Sequence, residues 1–292
     1  MQSARSDGDH LRHSRSAADA RNKGPASGFP VRSNAGHTAG IGTSGAATPG
    51  RSIRLRIPLE HVWFAPGADF ALAQISGGRG LALLTKLATA PVVTRLQVPP
   101  APALVAFSPS GDSAALFYPN PARLLILAGL PDVPRAGWEF QLAAVEEGLA
   151  ALAVSDGGQA VLAAAATAPA PVWMVTPQAG QQLLYTASRF VSLTFLNRSL
   201  DAAIAGGLEG EVVLLRNSEG NAQIVTLDAA AEILKHPVGI AAAADNRTLF
   251  VANADPPAIA ILPADGTHYS TLKCRYSPTR LERMLAGSVY RI

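Results

Sequence analysis

From Ile53 onward, short apolar runs alternate with clusters of turn-forming residues at regular distances. The stretch Leu104-Val-Ala-Phe-Ser-Pro-Ser-Gly-Asp-Ser-Ala-Ala-Leu-Phe-Tyr118 reads as one apolar run, a Ser-Pro-Ser-Gly turn and a second apolar run. Relatives of it begin at Trp63, Ala153, Thr194 and Ala242; aligning Phe64, Phe107, Val154, Phe195 and Ala243 gives intervals of 43, 47, 41 and 48 residues. Pro, Asp, Asn, Gly and Ser in each copy supply turn torsions that other residues resist, so each copy predicts a β-hairpin. Self-similarity at such a period is the mark of a repeat architecture.

Two further apolar runs follow each hairpin. They are Gly80 to Leu84 with Val92 to Leu96, then Arg123 to Leu127 with Trp138 to Leu142, then Val172 to Val175 with Gln182 to Tyr185. Val212 to Leu215 with Gln223 to Leu227, and Ala258 to Leu262 with Tyr269 to Leu272, complete the set. Four strands per forty-odd residues is the composition of a β-propeller blade. Two Ala runs, at 163 to 166 and 241 to 244, favour helix by intrinsic propensity. Each abuts a turn at fixed repeat phase, and we assign them to strands; Asp228 to Lys235 reads as a helical turn stopped by Pro237.

The expected fold is all-β: about five complete four-stranded blades near residues 59–100, 101–145, 146–187, 188–235 and 236–275, with a partial sixth. The pattern apolar-Ser-Pro-x-Gly-x-x-apolar followed by a Val/Ile/Leu run resembles the β-propeller repeats of the YVTN, WD40-like and TolB-like groups over residues 53 to 292. The Gly-His and Trp-Asp dipeptides of true WD40 repeats and any Tyr-Val-Thr-Asn tetrad are absent. The resemblance implies a fold and leaves function open.

The circle looks incomplete. Ile53-Arg-Leu-Arg-Ile-Pro58 parallels Thr94-Arg-Leu-Gln-Val-Pro99, an outer strand, and residues 276 to 292 look like an opening hairpin. Either 53 to 58 joins that hairpin as a closing blade, or the chain is a fragment of a longer propeller that self-associates through an open strand edge. The fragment reading is favoured because the mixed blade lacks one strand.

Charge changes the picture only at the N-terminus. Of 292 residues, 48% are hydrophobic and 15% charged, enough to bury a core. Residues 1 to 52 hold seven Lys/Arg against three Asp, a net +4, which leaves the rest at −1 within a total of +3. This Ser/Gly-rich basic tail is expected to be disordered. Without basic striping in the body, no nucleic-acid partner is expected. No apolar run suggests a membrane span, and no export signal is visible; the compartment stays undetermined.

Candidate chemistry sits in the connections that lead into each repeat: Glu60 and His61, Glu146 and Glu147, Arg189, Lys235 and His236. Acid, base and imidazole groups around one channel mouth suit an anion, a metal or proton transfer, although solvated loops are polar anyway. Asp69 and Asp112 share a repeat phase and read as turn-stabilising carboxylates. Asn197-Arg-Ser199 and Asn246-Arg-Thr248 match the glycosylation triplet but fall in turns that want Asn. Gly77-Gly-Arg-Gly80 is a weak phosphate-cradle candidate and a better hairpin turn. His10 and His13 have metal-compatible spacing in the tail without further ligands. Cys274, the single cysteine, excludes an intramolecular disulfide and reads as a small hydrophobe; Trp63, Trp138 and Trp173 read as core. No Gly-x-Ser-x-Gly, His-Glu-x-x-His or Cys-x-x-Cys motif occurs, and neither a catalytic residue nor a cofactor is assigned. The expected function is a non-catalytic module whose loop face binds a protein or other ligand. The alternative is a propeller enzyme, lactonase-like or quinoprotein dehydrogenase-like, with its site at the channel mouth.

Overall fold

The computed structural model describes residues 55, 57–67, 69–188, 190–206, 210–218, 221–227, 233–266, 268–283 and 290–291. The basic tail of residues 1–52, Arg189 and most of the Asp228 to Lys235 turn lie outside them.

The described chain forms five consecutive four-stranded antiparallel sheets, each a simple meander. The first holds β1 (Leu59–Phe64), β2 (Ala71–Ile75), β3 (Leu81–Thr85) and β4 (Val92–Arg95). The second holds β5 (Leu104–Phe107), β6 (Ser113–Pro119), β7 (Ala122–Ala128) and β8 (Arg135–Gln141). The third holds β9 (Leu149–Val154), β10 (Val161–Ala165), β11 (Ala170–Thr176) and β12 (Gly180–Ala187). The fourth comprises β13 (Phe190–Phe195), β14 (Ala202–Gly206), β15 (Glu211–Ser218) and β16 (Asn221–Thr226). The fifth comprises β17 (Pro237–Ala242), β18 (Thr248–Asn253), β19 (Ala258–Pro263) and β20 (Ser270–Lys273), and a two-stranded pair, β21 (Glu282–Arg283) with β22 (Tyr290–Arg291), follows. Each four-stranded sheet falls within one sequence repeat.

The burial pattern explains why the second and third strands read as unbroken apolar runs. Every residue of β2, β10 and β14 is buried, whereas the fourth strands β4 and β20 are largely exposed. A strand sends alternate side chains to opposite faces, and here both faces are covered. In β6, Ala114 and Leu116 pack toward Leu72, Leu81 and Leu83 of the first sheet. Their neighbours Ala115 and Phe117 pack toward Val154, Val161 and Val175 of the third. The same alternation carries Leu162 and Ala164 onto Phe195 and Ile204, and Ala203 and Ala205 onto Ile240 and Val251. The sheets therefore stack face to face in chain order, and the first strands β5, β9, β13 and β17 pack successively against one another. The helix propensity of the Ala runs is overridden by this context: Ala163–Ala165 belong to β10 and Ala241–Ala242 to β17, where a small side chain lets neighbouring sheets approach.

The outer faces of the terminal sheets are also covered. Leu55 and Ile57 pack on the face of the first sheet that carries Ala71, Ala73 and Ile75. Leu281 packs on Ala241, Ala252 and Ile259 of the fifth, with the half-buried Cys274 beside it. Among the described residues, β21 pairs with β22, and no strand pairing joins 53–58 to 276–292; residues 53, 54 and 56 lie outside the description.

Close approach between sheets fixes one glycine. Gly158 has φ +67, and a Cβ there would stand 2.6 Å from Ile126 Cγ2 of the neighbouring sheet. Gly148 has φ +83 but open space around it. Gly158→Ala should therefore cost about 2–4 kcal/mol, combining left-handed strain with overpacking, and Gly148→Ala about 1–2 kcal/mol. Urea unfolding midpoints of the two variants check the order.

Candidate functional site

The meander sorts the connections into two ends. Antiparallel strands put the first and third turns of a sheet at one end, and the second turn and the connection to the next sheet at the other. Hydrogen bonds between first turns of successive sheets show that these turns share one end of the stack.

That turn end is held by side chains acting between sheets. Asp156 opens a 3-10 turn (Asp156–Gly158) in the third sheet. Its Oδ1 accepts from Ser110 N of the second sheet at 2.7 Å, and its Oδ2 accepts from Arg198 N of the fourth at 2.6 Å. One carboxylate thus spans three sheets. Arg198 has φ +49, a conformation uncommon for a side chain of its kind, and its N–H is fixed by that bond. Further along, Asn197 N donates to Asn246 Oδ1 at 2.7 Å, Asn246 Nδ2 returns a bond to Asn197 O at 2.8 Å, and Asn197 Nδ2 reaches Ala243 O at 2.9 Å. Arg283 Nη1 of β21 donates to Asn197 Oδ1. The asparagines of both glycosylation triplets are therefore engaged in joining the fourth sheet to the fifth.

Asp112 works within its own turn and across to the next. Its Oδ1 accepts from Ser108 Oγ at 3.0 Å and Ser113 Oγ at 2.9 Å, and Gly157 N of the third sheet donates to the carboxylate at 2.9 and 3.2 Å. Burial pushes this carboxyl upward, but the donors from Gly157, Ser113, Ser108 and Ser110 outweigh it and hold it below the usual value. The buried hydroxyls are satisfied in turn: Ser113 Oγ reaches Ser155 O at 3.2 Å, and Ser155 Oγ accepts from Ala160 N at 2.9 Å.

At the loop end lie the residues singled out from the sequence. Glu60 is half-buried on β1, accepting from Gly77 N and from Gln74 Nε2, each at 2.8 Å. It clamps the Gly77-to-Gly80 turn, which joins β2 to β3 as a hairpin. His61 stands next to it, its ring 5.8 Å from that of Trp63 and its buried Nδ1 without a hydrogen-bond partner among the described residues. Glu146 and Glu147 are exposed on the connection between the second and third sheets. Lys235 and His236 are exposed on the approach to β17, where His236 N donates to Oδ1 of the buried Asn253 at 2.8 Å. Arg189 lies outside the described residues. Glu60 and His61 lie on β1 and the two other pairs on separate connections, and Glu60 finds its partners inside the first sheet rather than in another of these residues.

Two tyrosines tie sheets together farther out. Tyr118 Oη donates to Pro99 O at 2.8 Å, with the Arg123 guanidinium 5.0 Å over its ring and Glu139 paired to Arg123 at 2.8 Å. Burial, only partly offset by Arg123, pushes the Tyr118 hydroxyl up to about 12, so it remains a donor. Tyr185 donates to Glu211 of the next sheet, and burial together with that carboxylate raises its pKa. Trp138 Nε1 donates to Gly158 O at 2.7 Å, and Trp173 is buried. All three tryptophans serve packing, with Trp63 and Trp138 half-buried against cores.

Sequence reasoning found the turns but missed the bonds between them. A carboxylate one repeat away is invisible to local pattern, though the Ser-rich turn at 108–113 and the matched asparagines at 197 and 246 hinted at polar work there. Among the described residues no group of three or more His, Cys, Asp or Glu could hold a metal ion, and no helix is long and apolar enough to cross a membrane.

No protein-family model matches the chain, and no curated protein matches it. Solved structures do, with 627 matching chains, so the architecture is a common one. One is described as a functionally unknown protein from Desulfotomaculum acetoxidans DSM 771; it is 11% identical with a TM-score of 0.54, over 76% of this chain and 71% of that one. Likeness at that identity concerns fold alone.

Because the Asp112 carboxyl is depressed in the folded chain, the stability it contributes is present above the unfolded carboxylate value and is lost as pH falls through the lower folded one. Asp112→Asn should lower stability by about 1 kcal/mol at pH 7, the partly exposed site moderating the effect. The gap to wild type should close as pH falls below the unfolded carboxylate value of about 4 and through the lower folded one, as measured by urea unfolding at stepped pH.

Proposed function

We propose that the five sheets are blades of a β-propeller and that the protein is a binding module using its loop end to recognise a protein or other ligand. The observation that carries this reading is the division of labour between the two ends. At the turn end, Asp112, Asp156, Asn197 and Asn246 spend their hydrogen bonds on neighbouring sheets. At the loop end Glu146, Glu147, Lys235 and His236 present their side chains to solvent, as does Tyr276 at 73% exposure with Arg275 5.4 Å over its ring. An exposed aromatic beside mixed charges on fixed connections is what a recognition surface requires. Serial face-to-face packing of meander sheets, first strand against first strand, supports the propeller assignment. Glu60, one of the acids that catalysis at the channel mouth would call on, is tied to Gly77 and Gln74, which favours binding over an enzyme.

A photo-crosslinking residue placed at Glu147 and another placed at Arg135, at the opposite end, separate the ends in one experiment. Crosslinked adducts of discrete mass from position 147, abolished by charge reversal of Glu146, are expected. Adducts from position 135 alone would sink the reading.

A further inference from the structure

The fourth strand of each sheet is its outer edge, and among the described residues no further strand pairs with it. An unpaired edge is a template for another chain unless something guards it. Four of the five edges are guarded. β4 carries Arg95 and follows Pro91, β8 carries Arg135 and Glu139, and β20 carries Lys273. The register also breaks on two of the edge strands: Gly137 and Trp138 of β8 oppose Ile126 alone, and Leu184 of β12 is an extra residue between Leu183 and Tyr185. Such bulges twist an edge away from a newcomer. β16 has neither device. Asn221-Ala-Gln-Ile-Val-Thr226 contains no charge, proline or glycine, and its six pairs with β15 run without a break. Residues 222 to 226 are all exposed, Ile224 at 42% and Val225 at 44%.

Register fixes which backbone groups of β16 are free. Leu227 N donates to Val212 O at 2.8 Å, one step beyond the Val213–Thr226 pair and directly opposite it. In an antiparallel pair such bonding recurs at every second residue. Val225 and Gln223 therefore also turn their backbone groups to β15, and Ala222, Ile224 and Thr226 turn theirs outward. These three are symmetric about Ile224. We propose that β16 pairs antiparallel with β16 of a second copy of this chain across a two-fold axis at Ile224. Ala222 then bonds Thr226 of the partner subunit, Ile224 the partner's Ile224, and Thr226 the partner's Ala222. That makes about six backbone hydrogen bonds and leaves no outward group of residues 222 to 226 unused. Gln223 stands opposite the partner's Val225, and the strand holds no charge that a two-fold would set against its own copy. This self-match selects a second copy over an extended segment of a different protein. The interface uses none of the loop-end side chains. It is also distinct from an open ring edge, because the fourth sheet has a neighbour on both faces.

Sedimentation equilibrium of the full-length chain between about 5 µM and 0.5 mM covers the range in which so small an interface associates. A reversible monomer–dimer equilibrium is expected. Ile224→Lys should raise its dissociation constant by roughly tenfold or more, as a lysine on an edge strand does. Ile224→Pro removes an outward N–H and no ladder bond to β15, so it should weaken the dimer while the chain melts close to wild type. Leu183→Lys, on the bulged β12, should dimerise as wild type does. In a Cys274→Ser background, Ile224→Cys should oxidise to a disulfide-linked dimer, since facing Cα atoms of a hydrogen-bonded pair stand about 5.5 Å apart, within disulfide range. A monomer at every concentration, which would leave the edge to a different chain, overturns the proposal. So does a dimer that survives both Ile224→Lys and Ile224→Pro, or one that Ile224→Cys fails to cross-link.

Discussion

The dry contact between consecutive sheets is the interaction on which the rest of this protein depends. A four-stranded meander with both faces apolar has no stable existence in water, because each buried Leu, Ile or Phe contributes about 1.5–3 kcal/mol only once a neighbour covers it. Phe117, Leu124 and Ile126 find that neighbour in Val154, Val161 and Trp173; Leu162 and Met174 find it in Phe195 and Leu215. Strands buried on both sides must be apolar except where a polar side chain finds a partner, as Gln74 of β2 does in Glu60, and they must hold small residues where the sheets converge. The Ala-rich second strands satisfy both demands. The end sheets obey the same rule, borrowing Leu55 and Ile57 on one side and Leu281 on the other.

Apolar faces set the distance between sheets but leave them free to slide, and the polar turn end supplies the register. Asp156 accepts a backbone N–H from each flanking sheet, and Asn197 and Asn246 exchange bonds across the next interface. Such bonds are directional, so they hold only when the first turns lie side by side. Ser108, Ser113 and Ser155 then leave no buried hydroxyl idle, as burial demands.

At the loop end the side chains of Glu146, Glu147, Lys235, His236 and Tyr276 meet solvent, while backbone bonds such as that from His236 N to Asn253 keep the connections in place.

How much of this was legible in the sequence follows from the range of each interaction. Hairpins such as Leu104 to Tyr118 depend on apolar runs and turn residues that are neighbours in the chain, and the forty-odd-residue spacing set the four-strand repeat. Glu146, Glu147, Lys235 and His236 lie on connections, as their sequence neighbours indicated, whereas Glu60 and His61 lie on β1. What no local pattern carries is which faces meet and which donors find which acceptors. Asp156 reads as an ordinary turn residue until Ser110 and Arg198 arrive from sheets on either side. The sequence by itself determined the strands, their turns and their count per repeat, because those rest on contacts between near neighbours. The tertiary structure alone decided the order of stacking and the register at the turn end, because each is made between residues the chain holds far apart.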